Sequence, residues 1–230
     1  MAIRGILNTA RSLGYWLRSQ EVTANNLANV NSDAFKVDRI TARQLPGETF
    51  PQTVQRTDLR QGAFRDTNRP LDLALDGDGY FVIDTPQGAR LTRGGSLQLD
   101  PAGRITDSHG APLMGEGGPI VAAGGTIEVQ IDGSVNMDGA RVGRLRVVQV
   151  PDGQVRKLGF GRFEALAAMQ PAADATVRVR QGAIEEPNVD PLVGMVDLVA
   201  IQRAYAANLD ALRSMDGVLG TVVNQVGRVE

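Results

Sequence analysis

The side chains in this chain that could carry out chemistry are few and scattered. Its 230 residues include one histidine, His109, and no cysteine, so disulfides, thiolate nucleophiles and cysteine-ligated zinc are excluded. His109 has no second histidine with which to share a metal, and no G-x-S-x-G nucleophile motif accompanies it. We therefore interpret His109 as a turn residue, and we predict no catalytic and no metal-binding residues.

One acidic stretch begins like a calcium-binding loop. Asp76 and Asp78 in LDGDGY have the spacing of its first ligands, but Tyr80 and Phe81 stand where a further ligand and the turn glycine are needed. The paired Asp-Gly steps indicate a hairpin turn instead. Neither a Walker A nor a G-x-G-x-x-G phosphate loop occurs, so we predict no cofactor.

The charge balance excludes some classes of partner. With 24 basic and 26 acidic residues, the chain has no overall field that would attract nucleic acid or an anionic membrane. Arg4, Arg11 and Arg18 interrupt the N-terminal stretch, so it lacks the apolar core of a secretory signal, and no apolar run reaches membrane-spanning length. We predict no nucleic-acid partner, no membrane insertion and no cleaved signal peptide.

The N-terminal residues show the periodicity of a long helix. Positions spaced alternately by three and four are apolar apart from Gln20, which is typical of a heptad pattern. This N-terminal seam consists of Ile3, Ile6, Ala10, Leu13, Leu17, Gln20, Ala24 and Leu27. Arg4, Arg11 and Arg18 recur every seven residues beside it and form either a solvated face or an intersubunit charge contact.

The C-terminal residues repeat this pattern. Asp190 is a good helix N-cap and Pro191 suits the first helical position, so a second long helix is predicted to begin there. Its C-terminal seam consists of Leu198, Ile201, Tyr205, Asn208, Leu212, Met215, Leu219, Val222 and Val226. Only Asn208 is polar, and it either fixes the register of a helical pair or faces outwards.

A seam at each end of the chain indicates that the two terminal helices pair with each other. The alternative is that each helix packs on the middle of the chain, but strict 3.5-residue spacing favours packing of helix against helix. Residues 36–70 are polar, weakly patterned and interrupted by prolines, and we interpret them as an extended linker. Short apolar runs between glycine-containing turns follow, with spacings too short for parallel crossovers.

The predicted fold is therefore α+β. Long N- and C-terminal helices pair as a coiled-coil-like layer, and an antiparallel β-rich middle domain is inserted between them. The predicted boundaries are 1–35 for the N-terminal helix, 36–70 for the linker, 71–184 for the β domain and 185–230 for the C-terminal helix.

Four motifs in order resemble the flagellar basal-body rod and hook family. They are VTANNLANVNSDAFK (residues 22–36), RPLDLALDGDGYFVI (69–83), LTRGGSLQLDPAGRITDSHGAPLMG (91–115) and QGAIEEPNVDPLVGMVDLVAIQRAYAANL (181–209). Ala34 stands where the family has glycine, and Gly194 where it has an acidic residue. Residues 114–125 and 142–163 look most like the proximal-rod member, with the distal-rod member next.

The resemblance implies a structural subunit that polymerises into the rod of the basal body. Partners would be further copies, adjacent rod proteins and the flagellar type III export apparatus, which exports chains without a cleaved signal. The implied assembly interface consists of Ile3, Ile6, Leu13, Leu17, Asn25, Asn26, Leu27, Asn29, Leu198, Ile201, Tyr205, Asn208, Leu212, Met215 and Leu219.

Two other hypotheses fit parts of the sequence. A phage-tail-like structural protein could share the helix-plus-β architecture, but the first and last motifs argue against it. A peptidoglycan-cleaving enzyme would need paired carboxylates, and no local pattern pairs the acidic residues of this chain. We predict that the protein is not an enzyme.

Overall fold

The computed structural model describes residues 2–43, 51–122, 124–151, 153–172 and 176–226. For residues 2–4 and 222–226 it describes the backbone alone. The chain divides into two compact units. Unit 1 comprises residues 1–30, 37–58 and 189–230, and unit 2 comprises residues 31–36 and 59–188. The predicted boundaries are different: residues 31–36, 59–70 and 185–188 belong to the β-rich unit, and residues 37–58 belong to the helical unit.

Unit 1 is built on two long helices, α1 (Ala2–Ala28) and α2 (Pro191–Val226). Thr9 Oγ1 lies 3.9 Å from Met215 Sδ, and Leu27 lies against Gly194, so the helices pack side by side and antiparallel. Two helices at opposite ends of the chain, flanking a β-rich middle in sequence, agree with the predicted α+β class.

The start of α2 follows from its first residues. The carboxylate Oδ1 of Asp190 accepts hydrogen bonds from the backbone N–H groups of Leu192 and Val193 at 2.9 and 3.1 Å. Pro191 occupies the first helical position, where a backbone N–H would have no partner within the helix. The predicted N-cap is confirmed.

A hairpin of two strands, β1 (Asp38–Arg43) and β2 (Gln52–Thr57), completes the described part of unit 1. This hairpin and the first strand of unit 2 both lie in the segment 36–70, which is predicted to be an extended linker. The alternation that marks a strand is weak here because both faces are largely exposed. Only Asp38 is buried.

Unit 2 contains the remaining strands. They are β3 (Phe64–Asp66), β4 (Leu73–Asp76), β5 (Tyr80–Thr85), β6 (Gly88–Thr92), β7 (Gln98–Leu99), β8 (Ile105–Thr106), β9 (Met114–Gly115), β10 (Gly118–Pro119), β11 (Ile127–Val129), β12 (Ser134–Met137), β13 (Ala140–Arg144), β14 (Val147–Gln149), β15 (Val155–Lys157), β16 (Arg162–Ala165), β17 (Gln170–Pro171), β18 (Arg178–Gln181) and β19 (Ala183–Glu185). The largest sheet has the order β15-β16-β6-β5-β14-β17.

All strand pairings within the described ranges are antiparallel, as predicted. The small sheets of unit 2 include β11-β12-β13 and the pairs β18-β4 and β19-β3. The last two pairs join the beginning of unit 2 to its end in sequence. Unit 2 is therefore closed by its own C-terminal residues.

The strand β5 separates two apolar cores of unit 2. Phe81 and Ile83 point into the larger core, and Tyr80 and Val82 point into the smaller one. This division follows from the two-residue period of a strand, and it explains why YFVI is a continuous apolar run. Burial on both faces of β5 fixes its register within the sheet.

Candidate functional site

His109 and the Asp-Gly steps of LDGDGY, whose side chains could have carried out chemistry, lie in turns. His109 is exposed, its backbone N–H donates to Asp107 Oδ1 at 2.9 Å, and its ring lies 4.6 Å from that of Phe160. Gly77, between Asp76 and Asp78, has a φ of 112°, as a tight turn requires, but the predicted hairpin is wrong, because β4 pairs with β18 and β5 pairs with β6 and β14. Among the described residues, no group of three His, Cys, Asp or Glu side chains is arranged to hold a metal ion.

Two carboxylates of unit 2 have pKa values below their usual range, and both stabilise turns. The backbone N–H of Arg104 donates to Asp100 and lowers the pKa of that carboxyl most. The backbone N–H and then the hydroxyl of Ser134 lower the pKa of Asp132. These hydrogen bonds favour the ionised form, as turn-capping residues require.

The most distinctive site of unit 2 is a buried cluster of three charged side chains. Lys36 and Glu185 are each 0% exposed and Arg93 is 3% exposed. Glu185 Oε1 accepts a hydrogen bond from Lys36 Nζ at 2.5 Å, and Glu185 Oε2 accepts one from Arg93 Nε at 2.8 Å. We call these three residues the ion cluster. It carries two cations and one anion away from water.

Backbone groups complete the hydrogen bonding of the ion cluster. The amide of Gly62 donates to Glu185 Oε1 at 2.9 Å, and Lys36 Nζ also donates to Arg60 O at 2.7 Å. The guanidinium of Arg93 donates to three carbonyl oxygens at distances from 2.8 to 3.2 Å. Those acceptors are Leu75, Gly77 and Gly79. Such complete pairing is what permits charged groups to remain buried.

The four sequence motifs meet at the ion cluster. Lys36 ends the first motif, the carbonyl acceptors of Arg93 belong to the second, Arg93 belongs to the third and Glu185 to the fourth. The pairing of these residues is not predictable from the sequence, because charges separated by 57 or more positions leave no local pattern. No local signal could have identified them, because polar and charged residues occur throughout these motifs.

Asn26 has a structural role in unit 1. Its side chain donates to Asp38 O at 2.8 Å and accepts from Asp38 N at 3.0 Å, so it mimics a neighbouring strand. Asn29 Nδ2 donates to Asn25 O at 2.9 Å, beyond the last turn of α1. Asn26 is buried, Asn29 is half-buried and Asn25 is exposed. The first motif therefore connects the end of α1 to β1.

We predict that Asn26→Ala destabilises unit 1 by about 2 kcal/mol, because both backbone groups of Asp38 lose their partner. The loss should appear as a lower urea midpoint followed by the fluorescence of Trp16, which lies in α1. The control is Asn25→Ala, at the exposed neighbouring position, where little change is expected. Equal midpoints for the two variants would contradict the role given to Asn26.

The N-terminal seam does not coincide with the buried side of α1. Ile6, Leu13 and Leu27 are half-buried, Leu17 is 48% exposed, and the side chain of Ile3 lies outside the described residues. The buried side chains of α1 are instead Thr9, Ser19, Val22 and Asn26. Three of the four buried side chains described in α1 are therefore polar, and the described apolar side chains of the seam are half-buried or exposed.

From Leu198 to Leu219 the C-terminal seam lies on the inner side of α2, and the side chains of Val222 and Val226 lie outside the described residues. Ile201 is buried, and Leu198, Tyr205, Asn208, Leu212 and Leu219 are half-buried, while Met215 is 38% exposed. The amide of Asn208 donates to Ala204 O at 2.8 Å, within its own helix.

The outer side of α2 carries an exposed apolar patch near its beginning. The patch consists of Leu192, Val193, Met195, Val196 and Val199. Leu192 is 71% exposed and Val196 is 62% exposed. Their spacing by three, four and seven residues places Leu192, Met195, Val196 and Val199 along one side of the helix. A contiguous apolar surface of this kind is typical of an interaction site.

Two departures from the family pattern lie at positions with a special local geometry. Ala34 is buried and has a φ of 52°, so it adopts the left-handed conformation for which glycine is the usual residue. A Cβ added at Gly194 would lie 2.9 Å from Leu27 Cδ2. Gly194 therefore allows α1 to approach the first turn of α2 closely.

Comparisons with known proteins agree with this arrangement. Residues 180–226 match the domain family "Flagellar basal body rod FlgEFG protein C-terminal", and residues 74–139 match "Flagellar hook protein FlgE/F/G D1 domain". Neither described helix is long and apolar enough to cross a membrane.

Whole-chain similarity extends over most of the sequence. The chain is 33% identical to the flagellar basal-body rod protein FlgF of Salmonella typhimurium, over 87% of this chain and 89% of the relative. It is 34% identical to FlgF of Escherichia coli, over 89% and 90%. Identity to the basal-body rod protein FlgG of Bacillus subtilis is 28%, over 89% and 92%. The higher identity to these FlgF proteins confirms the resemblance drawn from the motifs.

Proposed function

Because the chain belongs to the family of flagellar basal-body rod proteins, we propose that it is a structural subunit of the rod, the axial shaft that transmits torque and conducts exported subunits. The observation that carries this proposal is the identity of 33% and 34% to two FlgF proteins over nearly nine-tenths of each chain. The proximal rod, the position that the motifs favour, is the proposed location.

We further propose that α1 and α2 form a coiled-coil-like inner layer of the rod. The antiparallel contact between the helices and the half-buried C-terminal seam support this arrangement. The residues of the predicted assembly interface would then act in two ways. Those on inner faces would hold the pair together, and exposed ones such as Leu17 would contact neighbouring subunits.

The exposed apolar patch extends that assembly surface. Burying apolar side chains against another subunit is favourable by about 25 cal/mol per Å². A subunit whose helices carry such groups gains stability when neighbours cover them. The proposed partners are other copies of this protein and adjacent rod subunits, and the proposed location is the part of the basal body that crosses the periplasm.

We propose that the chain reaches the rod through the flagellar type III export apparatus, without a cleaved signal peptide. Support comes from its membership of the family and from the arginines that interrupt its N-terminal apolar pattern. A structural, non-enzymatic role follows from the same membership, since the family is one of rod proteins.

A distal-rod subunit is the second candidate, and the FlgG relative of Bacillus subtilis supports it at 28% identity. The two candidates differ in where the rod would stop without the protein. A shorter remnant is expected if the subunit lies in the proximal rod.

Electron microscopy of basal bodies from a strain lacking this gene tests the proposal. We expect rods that stop short, no hooks and no swimming, because later axial subunits have no platform on which to assemble. A plasmid copy of the gene should restore all three. Complete rods and hooks without the gene would exclude a required rod subunit.

A further inference from the structure

The ion cluster joins segments that are far apart in the chain. Lys36 lies before the first strand of unit 2, Arg93 follows β6, and Glu185 ends the last strand, β19. Ala34 N donates to Glu185 O at 2.7 Å, Glu186 N donates to Ala63 O at 2.7 Å, and Asn188 N donates to Phe35 O at 3.1 Å. Residues 183–188 therefore complete unit 2 by binding segments that precede them by more than a hundred positions.

The charges make this last segment indispensable. Lys36 and Arg93 are both cations, both buried, and both bonded to the same carboxylate. Arg93 donates its other hydrogen bonds to backbone carbonyls, and Arg60 O also accepts one from Lys36, but these oxygens carry no negative charge. If Glu185 were missing, closing unit 2 would bury Lys36 and Arg93 without the carboxylate that they share, which is strongly unfavourable.

We propose that Glu185 is the counter-ion on which closure of unit 2 depends, so that unit 2 stays open in any chain whose last strand has not yet arrived. A chain that is delivered from its N-terminus would keep residues 31–36 and 59–182 unfolded until Glu185 follows. Premature folding of the β-rich unit inside an export channel is thereby avoided. This last consequence rests on the proposed function, whereas the dependence of unit 2 on Glu185 does not.

The same physical argument identifies what Glu185 must supply. A neutral glutamine at position 185 retains the size and an acceptor oxygen of the side chain but not its charge. It should therefore fail to close unit 2. Removing one of the two cations at the same time should restore part of the closed form, because less buried charge is then left uncompensated.

The test is hydrogen exchange, read by mass spectrometry, on the amides of β5 in the purified full-length chain. With Glu185→Gln we expect the folding equilibrium constant of unit 2 to fall by about 100-fold or more, the effect of an uncompensated buried charge. The control is Glu186→Gln. Glu186 is half-buried, and its carboxylate forms an ion pair at 3.4 Å with the exposed side chain of Arg65. Its protection should match that of the unchanged protein.

A second variant, Lys36→Met combined with Glu185→Gln, keeps the proposal testable if the single variant is wholly unfolded. Partial recovery of protection at β5 supports the counter-ion role. If the β5 amides of Glu185→Gln are as well protected as those of the unchanged protein, the proposal is overturned. It is also overturned if the double variant is no better protected than the single one. These measurements need no flagellum, so they separate the proposal from the rod assignment, which the gene-removal experiment tests.

Discussion

Gly95→Ala is expected to destabilise unit 2 by about 3 kcal/mol or more, because the added methyl group has no space that side-chain movement could create. An ideal Cβ at Gly95 would lie 1.6 Å from Leu73 O and 2.7 Å from Leu73 C. Both atoms belong to the backbone of β4, so the strand itself would have to move. Leu73 and Leu75 in that strand are 1% and 0% exposed.

Movement of β4 is resisted from several sides. Leu73 N donates to Gly95 O at 3.0 Å, and β4 pairs with β18 along its whole length. Arg93, two positions before Gly95, is bonded to Leu75 O in the ion cluster. Relieving the clash at Gly95 would therefore disturb a strand pair, an apolar core and a buried set of charges together.

Urea unfolding of the full-length chain, followed by circular dichroism, measures the Gly95→Ala effect. The control is Gly117→Ala, since a Cβ at Gly117 meets nothing within 4 Å and this glycine does not have a positive φ. Only the Gly95 variant should lose a large part of its stability. Similar midpoints for both variants would show that β4 can move without cost.

Val196→Lys is expected to abolish swimming while the monomer remains folded. Val196 is 62% exposed in the centre of the exposed apolar patch, so lysine there should change the free energy of unfolding by no more than about 0.5 kcal/mol. A subunit contact that buries this position would instead have to desolvate an unpaired ammonium group, at a cost of several kcal/mol for each subunit.

The measurement combines a swimming assay with electron microscopy in a strain whose only gene copy carries Val196→Lys. Circular dichroism of the purified variant checks that the fold is intact. Val196→Ile, which keeps the position apolar, should swim normally. Normal swimming with lysine at this position would exclude the patch from the contacts of the rod.

The helices and the presence of short strands could be predicted from the sequence because their signals are local. Heptad spacing, the Asp190-Pro191 start and the apolar run YFVI each depend on residues within a few positions of one another. The structure places α1, α2 and β5 where those signals lie. The face that α1 turns inwards was less predictable, since Thr9, Ser19 and Asn26 are buried by packing rather than by hydrophobicity.

The pairing of the buried charges could not be predicted from the sequence. Nothing local in the sequence connects Lys36, Arg93 and Glu185, because each obtains its partner only when the strands around it have assembled. The hairpin β1-β2 was missed for a different reason. Its strands are exposed on both faces, so they lack the alternation by which half-buried strands are recognised.

The ion cluster also determines how unit 2 responds to heat. Hydration of charged groups becomes less favourable as temperature rises, so the cost of keeping Lys36, Arg93 and Glu185 dry decreases on warming. Stabilisation by the apolar cores levels off over the same range. A unit closed by buried charges thus retains a larger share of its folding stability at high temperature than a unit closed by apolar side chains alone.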